Sequence, residues 1–146
     1  LMPVLHSPLL SVHVMVIMFS YALFAMMMLV GIQGLISYRR RGYARSESLA
    51  ALSHLMLYPA VFLLTAGIFI GAVWANVSWG RYWSWDPKEV WALITMLIYM
   101  APFHSSSIKC FRSTKFFHFY CVLAFLSVLI TYFGVNFLLG GMHSYA

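Results

Sequence analysis

The chain is 146 residues long, 63% apolar and 8% charged, with nine Lys+Arg, three Asp+Glu and a mean hydropathy of +0.87. Soluble domains are about 45–50% apolar and about 25% charged, so this balance excludes a soluble globular domain, a disordered tail and a disulfide-stapled secreted fold. It leaves a polytopic membrane protein or a piece of one.

Apart from histidines, residues 1–38, 48–80, 90–108 and 116–146 carry no charge. A membrane helix needs about 20 mostly apolar residues, and each run supplies one. The expectation is an all-α fold of about four transmembrane helices, at 10–37, 49–74, 88–107 and 116–138. The first helix carries His13 near its start and Gly31 and Gly34 further along. The break after it holds Arg39, Arg40, Arg41, Arg45 and Glu47. The second helix opens near His54 and carries Gly67 and Gly71, a Gly-x-x-x-Gly spacing that reads as close helix packing. The loop 75–88 follows, dense in tryptophan. The third helix ends near Pro102 and His104, and the third break holds Lys109, Arg112 and Lys115. The fourth helix contains His118 and Cys121. No internal repeat or low-complexity linker divides the chain, so 1–146 reads as a single membrane-embedded domain. With no basic stretch before its first apolar run, the start does not read as a signal peptide, and the chain is expected to be the C-terminal part of a longer protein.

The first and third breaks contain seven of the nine basic residues and, with Glu47, sum to +6; the middle loop, with Arg81, Asp86, Lys88 and Glu89, sums to zero. Basic loops stay on the cytoplasmic side, which puts the 75–88 loop and both termini on the outer face. The basic balance thus reports topology, and no basic face exists for nucleic acid. Cys110 in an inner loop and Cys121 within a helix give no reason to expect a disulfide.

Polar groups near a membrane are the best functional pointers. An even number of crossings returns His143 to the face that holds His6 and His13. All five tryptophans, Trp74, Trp79, Trp83, Trp85 and Trp91, fall within eighteen residues on that face, with Tyr82 among them. Such a cluster is either an interfacial aromatic belt or a platform for a flat, polarisable ligand. With two histidines flanking it, the natural ligand is haem, whose iron takes imidazole nitrogens axially. Asp86-Pro87-Lys88-Glu89 reads as a capping box opening the third helix, with Asp86 as N-cap, Pro87 at N1 and Glu89 at N3. Arg81 and Lys88 fit either haem propionates or solvated loop charges. His54, His104 and His118 lie near inner helix ends, where any two at similar depth are candidates for a second site.

The stretch Trp79-Gly80-Arg81-Tyr82-Trp83-Ser84-Trp85-Asp86-Pro87-Lys88-Glu89-Val90-Trp91 resembles the tryptophan-rich WWD signature of haem-handling cytochrome c assembly proteins. Its Trp-Asp-Pro-Lys-Glu ending resembles the System II branch, called CcsA or ResC. Gly71-Ala72-Val73-Trp74-Ala75 is similar to the family segment before the signature. Ser7-Pro8-Leu9-Leu10-Ser11-Val12-His13-Val14 resembles its first outer-histidine segment. Gly134 to Ala146 resembles the second, with Met142 where Leu is usual. Pro102 before His104, and the loop from Ile108 to Lys115, depart from the family pattern.

The resemblance implies that His13 and His143 ligate the iron of haem b on the periplasmic or lumenal face. It implies that Trp79, Trp83, Trp85, Asp86 and Trp91, with Arg81, bind the haem ring and its edges. It matches His104 to a second haem within the membrane, whose partner histidine lies upstream of Leu1. The chemistry implied is thioether formation, in which two cysteine thiols of an apocytochrome Cys-x-x-Cys-His motif add across the haem vinyl groups. That would make the chain a component of a cytochrome c synthase, or haem lyase, in a bacterial inner membrane or plastid thylakoid, working with a ResB/CcsB-type membrane partner. There are two rival functions: a haem transporter or chaperone without ligation, which uses the same residues, and a cytochrome b-like electron carrier with stacked bis-histidine sites, His13/His143 outside and two of His54, His104 and His118 inside.

Overall fold

The computed structural model describes residues 7–139, and the side chains among them as far as Val135; His6, Met142 and His143 lie outside the described residues. Among the described residues there is no strand. The architecture is four helices: α1 (Pro8–Arg39), α2 (Tyr43–Trp79), α3 (Pro87–Met100) and α4 (Thr114–Leu129). Short 3₁₀ turns at Ala101–His104 and Lys109–Arg112 join α3 to α4, and a wider π-type segment at Ile130–Leu139 extends α4.

Each start follows from local chemistry. Ser7 caps α1, its Oγ accepting from the Leu9 amide at 3.2 Å, with Pro8 in the first turn. Pro has no amide to leave unsatisfied there. Ser113 caps α4 in the same way, accepting from the Phe116 amide. The turn from α1 to α2 is a Schellman motif. The Gly42 amide donates to the Ser37 carbonyl at 2.8 Å, and the Arg41 amide donates to Tyr38 at 3.2 Å. The left-handed position this motif requires is occupied by Arg41, at φ 62°, rather than by Gly42. Side chains there are strained by about 1–2 kcal/mol.

Contacts along the helices give the topology. Cβ atoms at Gly67 and Gly71 of α2 would meet Ile17 and His13 of α1, and Ser46 Oγ donates to Gly34 O, so α1 and α2 run antiparallel. Gly31 faces Cys121 and Gly34 faces His118, which sets α4 antiparallel to α1. Thr131 approaches the Trp91 carbonyl while Tyr120 reaches Ile98, so α3 and α4 are antiparallel too. On α2, Ser46, Ser53, Ala60 and Gly67 recur every seven residues and are buried. Leu55, Phe62 and Phe69, at the same spacing, are 69–71% exposed. Small residues inside and large apolar ones outside is the pattern of a helix packed in lipid. The chain is a polytopic, all-α membrane protein. Pro8–Arg39, Tyr43–Trp79 and Thr114–Val135 are long and apolar enough to cross a bilayer, with α3 as the fourth helix.

Several boundaries differ from the expectation. The first two helices run past their apolar windows: 10–37 becomes Pro8–Arg39, and 49–74 becomes Tyr43–Trp79. Charge ends a membrane segment but not a helix, since Arg and Glu are good helix formers. The outer loop therefore shrinks from 75–88 to 80–86, and Trp79 is the last residue of α2, ahead of Gly80 in the left-handed conformation. The third helix, expected at 88–107, stops at Met100 because Pro102 has no amide to offer the Ile98 carbonyl. That carbonyl is served from another helix, by the Tyr120 hydroxyl at 2.7 Å. The fourth, expected at 116–138, begins at Thr114 and changes to π-type geometry at Ile130. There the Thr131 hydroxyl bonds its own i−4 carbonyl, Ser127, at 2.7 Å, a competition that disturbs the α ladder.

Candidate functional site

The start of α1, the end of α2, the start of α3 and the end of α4 meet at one end of the bundle around an open cleft whose interior is about 70 Å³. His13, Ile17 and Tyr21 of α1 form one wall, and Ile68, Gly71 and Ala72 of α2 form the next. Tyr82 and Trp83 of the loop, Lys88, Glu89 and Ala92 of α3 and Thr131 of α4 complete it.

His13 is positioned by the backbone of α2. Its Nδ1 lies 2.6 Å from the Gly67 carbonyl oxygen. A carbonyl only accepts, so Nδ1 carries the proton, and in the neutral ring the lone pair is then on Nε2. Iron-ligating histidines are oriented in this way, the far ring nitrogen donating to a carbonyl. Gly71 makes the seat: a Cβ there would lie 2.5 Å from His13 Cε1 and 2.8 Å from Nδ1.

The loop is organised by Glu89. Asp86 caps α3, accepting from the Lys88 amide at 3.2 Å, and Glu89 returns to the Asp86 amide at 3.2 Å, so the expected capping box is formed. The same Glu89 Oε2 accepts from the Ser84 amide at 2.8 Å. One carboxylate thus gathers the amides on both sides of Trp85. The backbone of Trp85 is held at φ 58°, and its ring stands 71% exposed. A bulky residue in the left-handed region is an outlier that costs about 1–3 kcal/mol and marks functional segments. Its ring meets Trp83 edge-on, with centroids 5.8 Å apart.

The five tryptophans therefore have separate roles. Trp74 is buried and Trp79 packs edge-on against it at 4.9 Å. Trp83 lines the cleft, Trp85 stands out from it, and Trp91 is half-buried in α3. The Trp91 carbonyl accepts from Thr95 at 2.8 Å, and the Thr131 hydroxyl, which donates to Ser127, lies 3.3 Å from that carbonyl and 3.1 Å from the Thr95 hydroxyl. Arg81 is exposed and outside the cleft lining, whereas Lys88 lines it.

His143, expected opposite His13, lies outside the described residues. Among the described residues the other histidines, His54, His104 and His118, are at the other end of the bundle. His104 is exposed, its Nδ1 3.2 Å from Met100 O. His118 is fully buried, its Nε2 2.8 Å from Ser46 O, and His54 stacks flat on Phe117 at 3.9 Å. Sequence reasoning missed Tyr21 and Thr131 as cleft residues. Tyr21 had a signal: it is eight residues after His13, with Ile17 between them, on one helix face. Thr131 had none, because its place depends on the π-type segment.

An imidazole with its lone pair on Nε2, apolar and aromatic walls and a cation at the rim suit a flat, apolar, metal-bearing molecule with an anionic edge. Comparison with known proteins gives the family. The family described as Cytochrome C assembly protein matches residues 1–143. Protein NrfI of Wolinella succinogenes is 38% identical over 152 aligned residues, covering 100% of this chain and 17% of that protein. Cytochrome c biogenesis protein CcsA of Pyropia yezoensis is 52% identical over 99 residues, covering 68% of this chain and 31% of the relative. CcsA of Chlamydomonas reinhardtii is 39% identical over 151 residues, covering 99% and 42%. The chain thus spans less than half the length of each of these relatives.

Proposed function

Because the chain belongs to the cytochrome c assembly protein family, we propose that it acts in cytochrome c biogenesis, binding haem b in the His13 cleft and presenting it for covalent attachment to apocytochrome c. The observation that carries this reading is the seating of His13. Its Nδ1–H is spent on Gly67 O, 2.6 Å away, so that Nε2 is the ligating nitrogen in a cleft walled by Trp83 and Tyr82.

Haem enters as substrate. His13 holds the iron from one side, and His143 is proposed as the second axial ligand. Trp83 and Tyr82 contact the ring, Trp85 extends the aromatic surface at the mouth, and Lys88 pairs with a propionate. Each cysteine thiol of the apocytochrome adds across one vinyl group: a sulfur–carbon bond forms at one vinyl carbon and a proton goes to the other. The reactivity belongs largely to haem. The protein contributes orientation, which is worth several kcal/mol when reacting atoms are held in line. The site faces the periplasm or lumen, and a ResB/CcsB-type membrane protein is the proposed partner.

The test is a reduced-minus-oxidised absorption spectrum of the longer protein, wild type against His13→Ala, His143→Ala and the double change. Each single change is expected to shift or abolish a bis-histidine haem signal. A spectrum indifferent to both would reject the site. Haem attachment to a co-expressed apocytochrome then separates ligation from transport alone.

A further inference from the structure

A second cleft lies at the opposite end of the bundle, where α1 ends and α2 begins. It is open to solvent, holds about 270 Å³ and is lined by Gln33, Ile36, Ser37, Arg40, Gly42 and Arg45. Arg39, Arg40, Arg41 and Arg45 are all exposed. Among the described residues none of the four is in a salt bridge, although Glu47 is two positions from Arg45. Of the four, Arg40 and Arg45 line the cleft, and two like charges there give it a positive potential that favours an anion. The Schellman turn fixes their arrangement, because the Gly42–Ser37 and Arg41–Tyr38 hydrogen bonds close the loop between Arg40 and Arg45.

We propose that this cleft binds a phosphate anion, carried by the headgroup of an anionic phospholipid, between Arg40 and Arg45. Guanidinium groups pair with phosphate oxygens through two parallel hydrogen bonds. Gln33 and Ser37 add a side-chain amide and a hydroxyl on the α1 wall. Gly42, the N-cap residue of α2, lines the cleft, and no side chain caps that helix. Its leading amides add partial positive charge at the same place. A lipid fits better than free phosphate because an apolar track leaves the cleft: Ile36, Ile32 and Leu29 are 47%, 40% and 60% exposed along α1. An acyl chain lying on that track would leave its headgroup level with the ends of the two spans, where anionic lipids attract basic residues.

The test uses the full-length protein in phosphatidylcholine nanodiscs containing a minor fraction of phosphatidylglycerol, with native mass spectrometry of the retained lipid. Two variants of equal charge are compared: R40Q/R45Q, inside the cleft, and R39Q/R41Q, outside its lining. Wild type and R39Q/R41Q are expected to retain phosphatidylglycerol, and R40Q/R45Q to retain it about thirty-fold less well. A second arm titrates inorganic phosphate into protein held in phosphatidylcholine alone. Phosphate binding lost in R40Q/R45Q supports the anion site with free phosphate as sufficient ligand; lipid retention without phosphate binding supports the headgroup as its source. Equal loss in both variants would mean a diffuse surface potential and overturn the proposal. So would a wild type that retains no phosphatidylglycerol and binds no phosphate.

Discussion

Replacing Gly71 with Ala tests the seating of His13 without touching the imidazole. The added Cβ would lie 2.5 Å from His13 Cε1 and 2.8 Å from Nδ1. Carbon contacts settle at about 3.5–4.0 Å, so the ring must retreat by about 1 Å. That movement takes Nδ1 from 2.6 Å to beyond hydrogen-bonding reach of the Gly67 carbonyl. The lost bond costs about 1 kcal/mol, and crowding adds about 1–3 kcal/mol. Better helix propensity of Ala returns about 1 kcal/mol. The net destabilisation is about 1–3 kcal/mol, read as a lowered Tm in detergent. Haem binding suffers more, because a ligand displaced by about 1 Å loses on the order of a hundredfold in effectiveness. Haem titration and the His13 Nδ1–H resonance report the two effects separately. Gly134→Ala is the control: among the described residues its Cβ would meet Ile130 alone, at 3.5 and 4.0 Å, and it should leave haem binding unchanged. Wild-type haem affinity with an unmoved Nδ1–H resonance in Gly71→Ala would refute the seating.

Trp85→Gly should remove about 1–2 kcal/mol of left-handed backbone strain, so stability holds or rises while haem delivery to the apocytochrome falls; a Tm lowered with delivery intact would contradict the reading. Glu89→Ala strips the acceptor from the Ser84 and Asp86 amides and should lower stability by about 1–2 kcal/mol, with faster hydrogen exchange at those two amides as the specific sign. Tyr120→Phe orphans the Ile98 carbonyl and should cost about 1–3 kcal/mol. Pro102→Ala, which restores an amide to that carbonyl, should recover part of the loss in the same background, and strict additivity of the two changes would argue against the link.

The number of helices, their order and the convergence of His13 with the tryptophan loop were legible because charge and hydropathy mark the ends of each span. The Asp86–Glu89 capping box was legible for a similar reason: its chemistry is local and fits within four residues. What escaped depends on contacts between distant residues. The division of the tryptophans into the buried Trp74, the cleft-lining Trp83 and the exposed Trp85 follows from the extension of α2 to Trp79 and from the Glu89 clasp. Thr131 reaches the cleft only through the change of helix type at Ile130. Conversely, Arg81 looked as well placed as Lys88 in sequence, yet only Lys88 lies on the helix that forms the wall. The Gly67–Gly71 pair illustrates both sides. The spacing announced a close approach, but not that the approaching group would be an imidazole.

The hydrogen bond from Tyr120 to Ile98 bears on how the polypeptide enters the bilayer during synthesis. α3 leaves the ribosome first, and at fourteen residues it is about 21 Å long, short of the roughly 30 Å hydrocarbon core. It also carries a carbonyl that its own Pro102 cannot satisfy, a burden of several kcal/mol in lipid. The carbonyl stays unsatisfied until α4 arrives with its tyrosine. α3 and α4 should therefore partition into the membrane together, as a hairpin inserted in a single concerted event, with α3 waiting at the translocon until its partner emerges.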